Sequence, residues 1–205
     1  MYKLYSIPGT CSTGINVLLR QLKQDFEIIN PTMISNYQGI SPTGQVPALD
    51  DGGLIITEGA AITLHLLTKH DPNFNNASLT KNAEFLRWLI FGCATQHPAY
   101  SKMFTMNNLL ENGPQKGPIL QALADQVSKN WAIINARLEH QQFITGNSAS
   151  MVDYFAVIYA SWGKYFPEQS ICLGKNTLEL IKRICDLPIF EHAYTSEKIQ
   201  YSLIP

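Results

Sequence analysis

Of the four cysteines, Cys11, Cys93, Cys172 and Cys185, Cys11 stands where a thiol can do chemistry. It follows an apolar segment, Tyr2-Lys3-Leu4-Tyr5, and a turn, Ile7-Pro8-Gly9-Thr10, and Ser12 comes next. The pattern predicts a strand over 2–7 and a helix from Ser12 to Lys23, with Ile15, Leu18, Leu19 and Leu22 on one face. The first turn of a helix carries unpaired backbone N–H groups and the positive end of the dipole. Both favour a thiolate at Cys11, which suits a redox or nucleophilic role. The plain alternative is a small apolar residue packed under a helix.

The remaining cysteines are far apart and in no metal-ligand spacing, so no metal is expected. With 15 basic and 16 acidic residues and no basic run, the chain lacks the footprint of a nucleic-acid binder. No apolar run has the length of a membrane span, and the N-terminus lacks a secretory pattern. A cytoplasmic protein with reduced thiols is the expectation.

Elements that could position Cys11 follow in order. Phe26 to Ile29 reads as a second strand, parallel to the first through a right-handed crossover. Val46 to Leu49 reads as a third, Asp50-Asp51-Gly52-Gly53 as a hairpin turn, and Leu54 to Thr57 as a fourth. A helix opens at Glu58-Gly59 with Thr57 as its N-cap and ends near His70. Residues 1–72 thus form an α/β domain, 73–78 a linker and 79–205 an all-helical domain. In the latter, a long helix from Leu79 to Leu110 should kink at His97-Pro98. A helix from Pro118 carries the stripe Leu120, Leu123, Val127, Trp131, Ile134 and Leu138. Ser150 and Asp153, three apart before an apolar run, read as a capping box. Further helices run from Asn176 to Leu187 and on to a short terminal helix and tail.

Four stretches in this order resemble the cytosolic glutathione transferases, most closely the bacterial beta class. They are Pro8-Gly9-Thr10-Cys11-Ser12, Ser41 through Leu49, Thr57-Glu58-Gly59-Ala60-Ala61-Ile62, and Gly146 through Asp153. The resemblance covers nearly the whole chain. It implies a thioredoxin-like N-terminal domain with an all-α C-terminal domain, the glutathione transferase fold, and a homodimer. Glutathione is the implied co-substrate and small apolar electrophiles the substrates. Cys11 would manage the glutathione thiol, with Ser12 and His97 in support and Tyr5 as an alternative hydroxyl donor. Gln45, Val46 and Pro47 would hold the tripeptide backbone at a cis-proline turn. Glu58 and Gly59 would meet its γ-glutamyl end. Phe91, Tyr100, Met103 and Phe104 would line the electrophile pocket. A cysteine in the thiol-handling position also implies mixed-disulfide chemistry. Two other readings stay open: a catalytically weak binding protein on the same scaffold, and a specialised member such as a glutathione-dependent dehalogenase or isomerase.

Beta-class chains carry a lysine after the second strand that meets the glycine carboxylate of glutathione. Here no Lys or Arg occurs between Lys23 and Lys69, and Asn36, Tyr37 and Gln38 occupy the loop. Loss of that charge-assisted bond should weaken glutathione binding by about 1 kcal/mol or more. Titration calorimetry against a lysine-bearing relative measures this, and equal affinities would contradict it.

Overall fold

The computed structural model describes residues 1–75 and 79–198; part of the expected linker, 76–78, and the tail, 199–205, lie outside the described residues. Packing divides the chain into two units. The first comprises residues 1–86 together with the chain from Cys185, and the second runs from Arg87 to Ile184. The first unit therefore takes in the terminal helix, which sequence order alone assigns to the helical half.

In the first unit β1 (Tyr2–Tyr5), α1 (Cys11–Gln21) and β2 (Phe26–Ile29) form the expected βαβ, with β1 and β2 parallel. β3 (Ala48–Asp51) pairs antiparallel with β1 and with β4 (Leu54–Thr57), giving the order β2-β1-β3-β4. The third strand begins two residues later than expected, since Pro47 has no N–H for a ladder. Gly52 and Gly53 form the two-residue turn, both at positive φ, and the Gly53 N–H donates to Asp50 Oδ1 at 2.7 Å. α2 (Gly59–His70) returns across the sheet, and a single turn, α3 (Pro72–Asn75), follows. Leu4, Ile15, Leu18, Leu19, Leu49, Ile62 and Leu66 are buried and form the interior.

α4 (Leu79–Phe91) passes from the first unit into the second. It is continued by a π-helical turn, Gly92–Gln96, and by α5 (His97–Leu109). The expected kink at His97-Pro98 is thus realised as a widened turn. The His97 N–H reaches the Gly92 carbonyl, five residues back. Pro98 has no N–H to offer the carbonyl of Ala94, and the wider turn absorbs that loss. α6 (Lys116–Arg137) buries Leu120, Val127, Trp131 and Ile134, with Ala124 in the stripe and Leu123 only half-buried. α7 (Met151–Ser161) is buried on every side, as its nearly all-apolar sequence demands. α8 (Lys175–Cys185) and α9 (Pro188–Ser196) complete the described chain, α9 lying along α1. Among the described residues, no helix is long and apolar enough to cross a membrane.

The Ser150–Asp153 capping box is present. Asp153 is fully buried and accepts from the N–H groups of Ile144 and Ser150, each at 2.8 Å, and from Ser150 Oγ at 3.0 Å. Burial outweighs these bonds and pushes Asp153 up to about 6. A value raised in the folded state means a stabilisation complete below the ordinary 3.8 and lost as pH rises through about 6. Asp153→Ala strands two buried N–H groups and should cost about 2–4 kcal/mol at acid pH. Urea denaturation should show the gap to wild type narrowing toward neutral pH; a constant gap would contradict the shift.

Candidate functional site

One row of the sheet gathers the N-terminal candidates. Ile29 lies opposite Tyr5, Tyr5 opposite Ala48, and Ala48 opposite Thr57. The chain leaving β1 toward Cys11, the chain entering β3 through Val46-Pro47, and the chain leaving β4 into Glu58-Gly59 therefore emerge at one rim. Loops at such a sheet end are where α/β folds place ligands.

Cys11 is the first residue of α1, one position earlier than the sequence pattern suggested, and is 9% exposed. Thr10 is the N-cap, its hydroxyl accepting from the Ser12 N–H at 3.3 Å. Gly9, at φ +76°, makes the turn that a side chain would oppose. The Ser12 hydroxyl is turned into the protein. It is 0% exposed; its oxygen accepts from Ser6 Oγ at 2.7 Å and from the Ile7 N–H at 3.1 Å. Its one hydrogen is taken up by Ile7 O or Thr10 Oγ1. These bonds hold the loop in shape. Tyr5, the alternative donor, is buried against Tyr37, ring centroids 5.7 Å apart, in a cluster with Ala48.

The Val46–Pro47 peptide is cis. Two residues missed by the sequence reading secure the loop before it. Tyr37 Oη and Ser41 Oγ both donate to the Gln45 carbonyl, at 3.0 and 2.9 Å. Tyr37 sits in a stretch that reads as a polar surface loop, yet it turns inward, and burial raises its phenol above the ordinary value. The Gln45 side chain is exposed, Val46 is half-buried and Pro47 is buried.

Glu58, not Thr57, is the N-cap of α2. It sits at φ +69°, ψ +118°, and makes no side-chain cap bond. Positive φ in a residue with a Cβ costs on the order of 1–3 kcal/mol and concentrates at functional sites. The consequence is an exposed carboxylate beside a helix start whose first N–H groups have no side-chain cap, an arrangement suited to an amino-acid zwitterion.

In the second unit His97 opens α5 and its ring lies edge-on to Tyr159 and Trp162, at 5.7 and 5.4 Å. Of the expected pocket residues, Tyr100 and Met103 are 0% exposed and belong to the core. Tyr100 Oη accepts from Trp131 Nε1 at 3.0 Å, and burial drives its phenol far up. Aromatic and thioether side chains at helical spacing are core by default. Phe104 packs on Trp162, Tyr165 and Phe166, and Phe91 borders a small apolar cavity with Trp88, Gln96 and Tyr159. Among the described residues, no group of three or more His, Cys, Asp or Glu could hold a metal.

Residues 1–68 match the family described as Glutathione S-transferase, N-terminal domain. Glutathione S-transferase GST-4.5 of Xanthomonas campestris is 25% identical over 167 residues, spanning 78% of this chain and 81% of the relative. A solved glutathione S-transferase from Xylella fastidiosa superposes with a TM-score of 0.86 at 24% identity, covering 98% of this chain and 100% of its own. A sphingomonad glutathione S-transferase solved with glutathione gives 0.80 at 23% identity, covering 97% and 100%. The fold is that of the glutathione transferases, a thioredoxin-like sheet domain with a helical C-terminal region.

Glu58→Gly removes the side chain that makes positive φ costly. It should raise stability by about 1 kcal/mol, read as a higher urea midpoint at unchanged slope. A lower midpoint would mean that the Glu58 side chain gives the fold more than its backbone costs.

Proposed function

We propose that this glutathione S-transferase-like chain binds glutathione at the rim of its first unit and transfers the glutathione sulfur to small apolar electrophiles. The reading is of a cytoplasmic, homodimeric, beta-class-like enzyme serving detoxification. The observation that carries it is the row Tyr5–Ala48–Thr57, which supports three ligand features at one rim. The uncapped start of α2 suits the γ-glutamyl carboxylate, and the Glu58 carboxylate suits its ammonium. The backbone of Val46 suits strand-like pairing with the cysteinyl residue. Cys11, at the head of α1, receives the sulfur. With Ser12 and Tyr5 both engaged in the structure of the unit, Cys11 is the thiol-managing residue of this reading. His97 enters it by resemblance alone.

Two reactions follow. In conjugation the glutathione thiolate attacks an electrophilic carbon. With a chlorinated nitrobenzene the C–S bond forms, the C–Cl bond breaks, chloride leaves and the thiol proton passes to solvent. In disulfide exchange the Cys11 thiolate attacks glutathione disulfide. A mixed disulfide forms at Cys11 and one glutathione thiolate departs.

Retention on immobilised glutathione together with conjugation of a chlorinated nitrobenzene is the expected result. Absence of both at millimolar glutathione would sink the proposal. Cys11→Ala should abolish the glutathione adduct seen by mass spectrometry and lower conjugation by roughly 10- to 100-fold without removing glutathione binding. Unchanged conjugation would assign Cys11 to disulfide exchange only.

A further inference from the structure

The last described turn of the chain reaches back to the first helix. Glu197, directly after α9, is more than 180 residues from Thr13 in sequence, yet Thr13 Oγ1 donates to its Oε2 at 2.6 Å. Asn16 Nδ2 donates to Oε1 at 2.8 Å. Thr13 and Asn16 are both 0% exposed, so neither can turn to water instead. On the loop side, the Gly9 N–H donates to Thr13 Oγ1 at 3.1 Å. On the far side, Arg20 Nε donates to Asn16 Oδ1 at 2.8 Å, while the guanidinium also meets Ser196 Oγ at 3.3 Å and His192 Nε2 at 3.5 Å.

The sense of every bond is fixed by chemistry. Arginine only donates, so the Asn16 carbonyl must face Arg20 and its amide must face Glu197. A carboxylate only accepts, so the Thr13 hydrogen goes to Glu197 and a Thr13 lone pair is left for Gly9. Burial pushes the Glu197 carboxyl above its usual range, while Thr13, Asn16, the Gly9 amide and Arg20 draw it down. The turn that presents Cys11 is thus held from two sides. Ser6, Ser12 and Thr10 brace it from within, and Glu197 holds it through Thr13.

We propose that Glu197 is a positioning residue: by fixing Thr13 and Asn16 it holds the Gly9–Thr13 turn in the geometry that presents the Cys11 thiol. Its catalytic arm rests on the function proposed above, and its structural arm does not.

The test compares wild type with Glu197→Ala and Glu197→Gln, by amide hydrogen exchange resolved to residues and by conjugation kinetics with a chlorinated nitrobenzene at saturating glutathione. In Glu197→Ala, exchange at Gly9 to Thr13 should quicken about tenfold or more, while that of Leu18 and Leu19 stays as in wild type. The kcat should fall about tenfold with KM for the electrophile within about twofold. Glu197→Gln keeps one accepting oxygen where the carboxylate has two, so it should recover part of both losses. Faster exchange spread evenly over α1, or exchange at Gly9 to Thr13 equal to wild type, would overturn the proposal. A wild-type protein without conjugation activity would defeat the proposed function and leave the exchange measurement to decide this one. Should Glu197→Ala fail to fold, Glu197→Gln carries the test alone, with the same selective quickening at Gly9 to Thr13 expected at smaller size and exchange equal to wild type overturning the proposal.

Discussion

The antiparallel ladder between β1 and β3 is the constraint on which the first unit depends. β1 is central, with a parallel partner on one side and an antiparallel one on the other, so its register sets both neighbours. Side chains alternate across a sheet, and a slip of one residue would turn buried Leu4 and Leu49 outward and bring Lys3 and Asp50 in. Each such reversal would cost about 1.5–3 kcal/mol for every large apolar side chain exposed. The two-glycine turn then locks β4 to β3, and Thr57 can only arrive beside Ala48. The place where Glu58 leaves the sheet is thereby decided by packing several residues away, on the other face of chemistry altogether.

Much of this was legible in the sequence because it is local. The helix face of Ile15, Leu18 and Leu19, the hairpin at Gly52-Gly53 and the capping box at Ser150–Asp153 each follow from residue types a few positions apart. The rim could be anticipated as well, since Cys11, Val46-Pro47 and Glu58-Gly59 all stand next to strand ends.

What was not legible depends on partners distant in the chain. Ser12 reads as a spare hydroxyl until Ser6 and Ile7 are seen to use its oxygen. Tyr37 reads as a surface residue until its hydroxyl is found on the Gln45 carbonyl. Tyr100 reads as a pocket wall until Trp131 is found bonded to it. Glu58 is a different case. Nothing in its side chain announces a left-handed backbone, and propensity argues for Thr57 as the cap. The sheet's geometry overrides that preference and leaves the strain beside the helix start.

The π-helical turn at Gly92–Gln96 makes the helix a counting device. The extra residue is taken up within that turn, so every later side chain stands about 100° behind its place in an uninterrupted α-helix. Trp88 and Leu89 ahead of it, and Tyr100 and Met103 behind it, all face the interior under that phase. Deleting one residue within the turn would restore a regular helix and leave both pairs on their present faces, but it would bring the Pro98 ring back against the carbonyl four residues before it. The segment is therefore intolerant of length changes of even a single residue, although its own Ala94 and Thr95 are exposed and chemically undemanding. Sequence drift there can change what the residues are, but not how many there are.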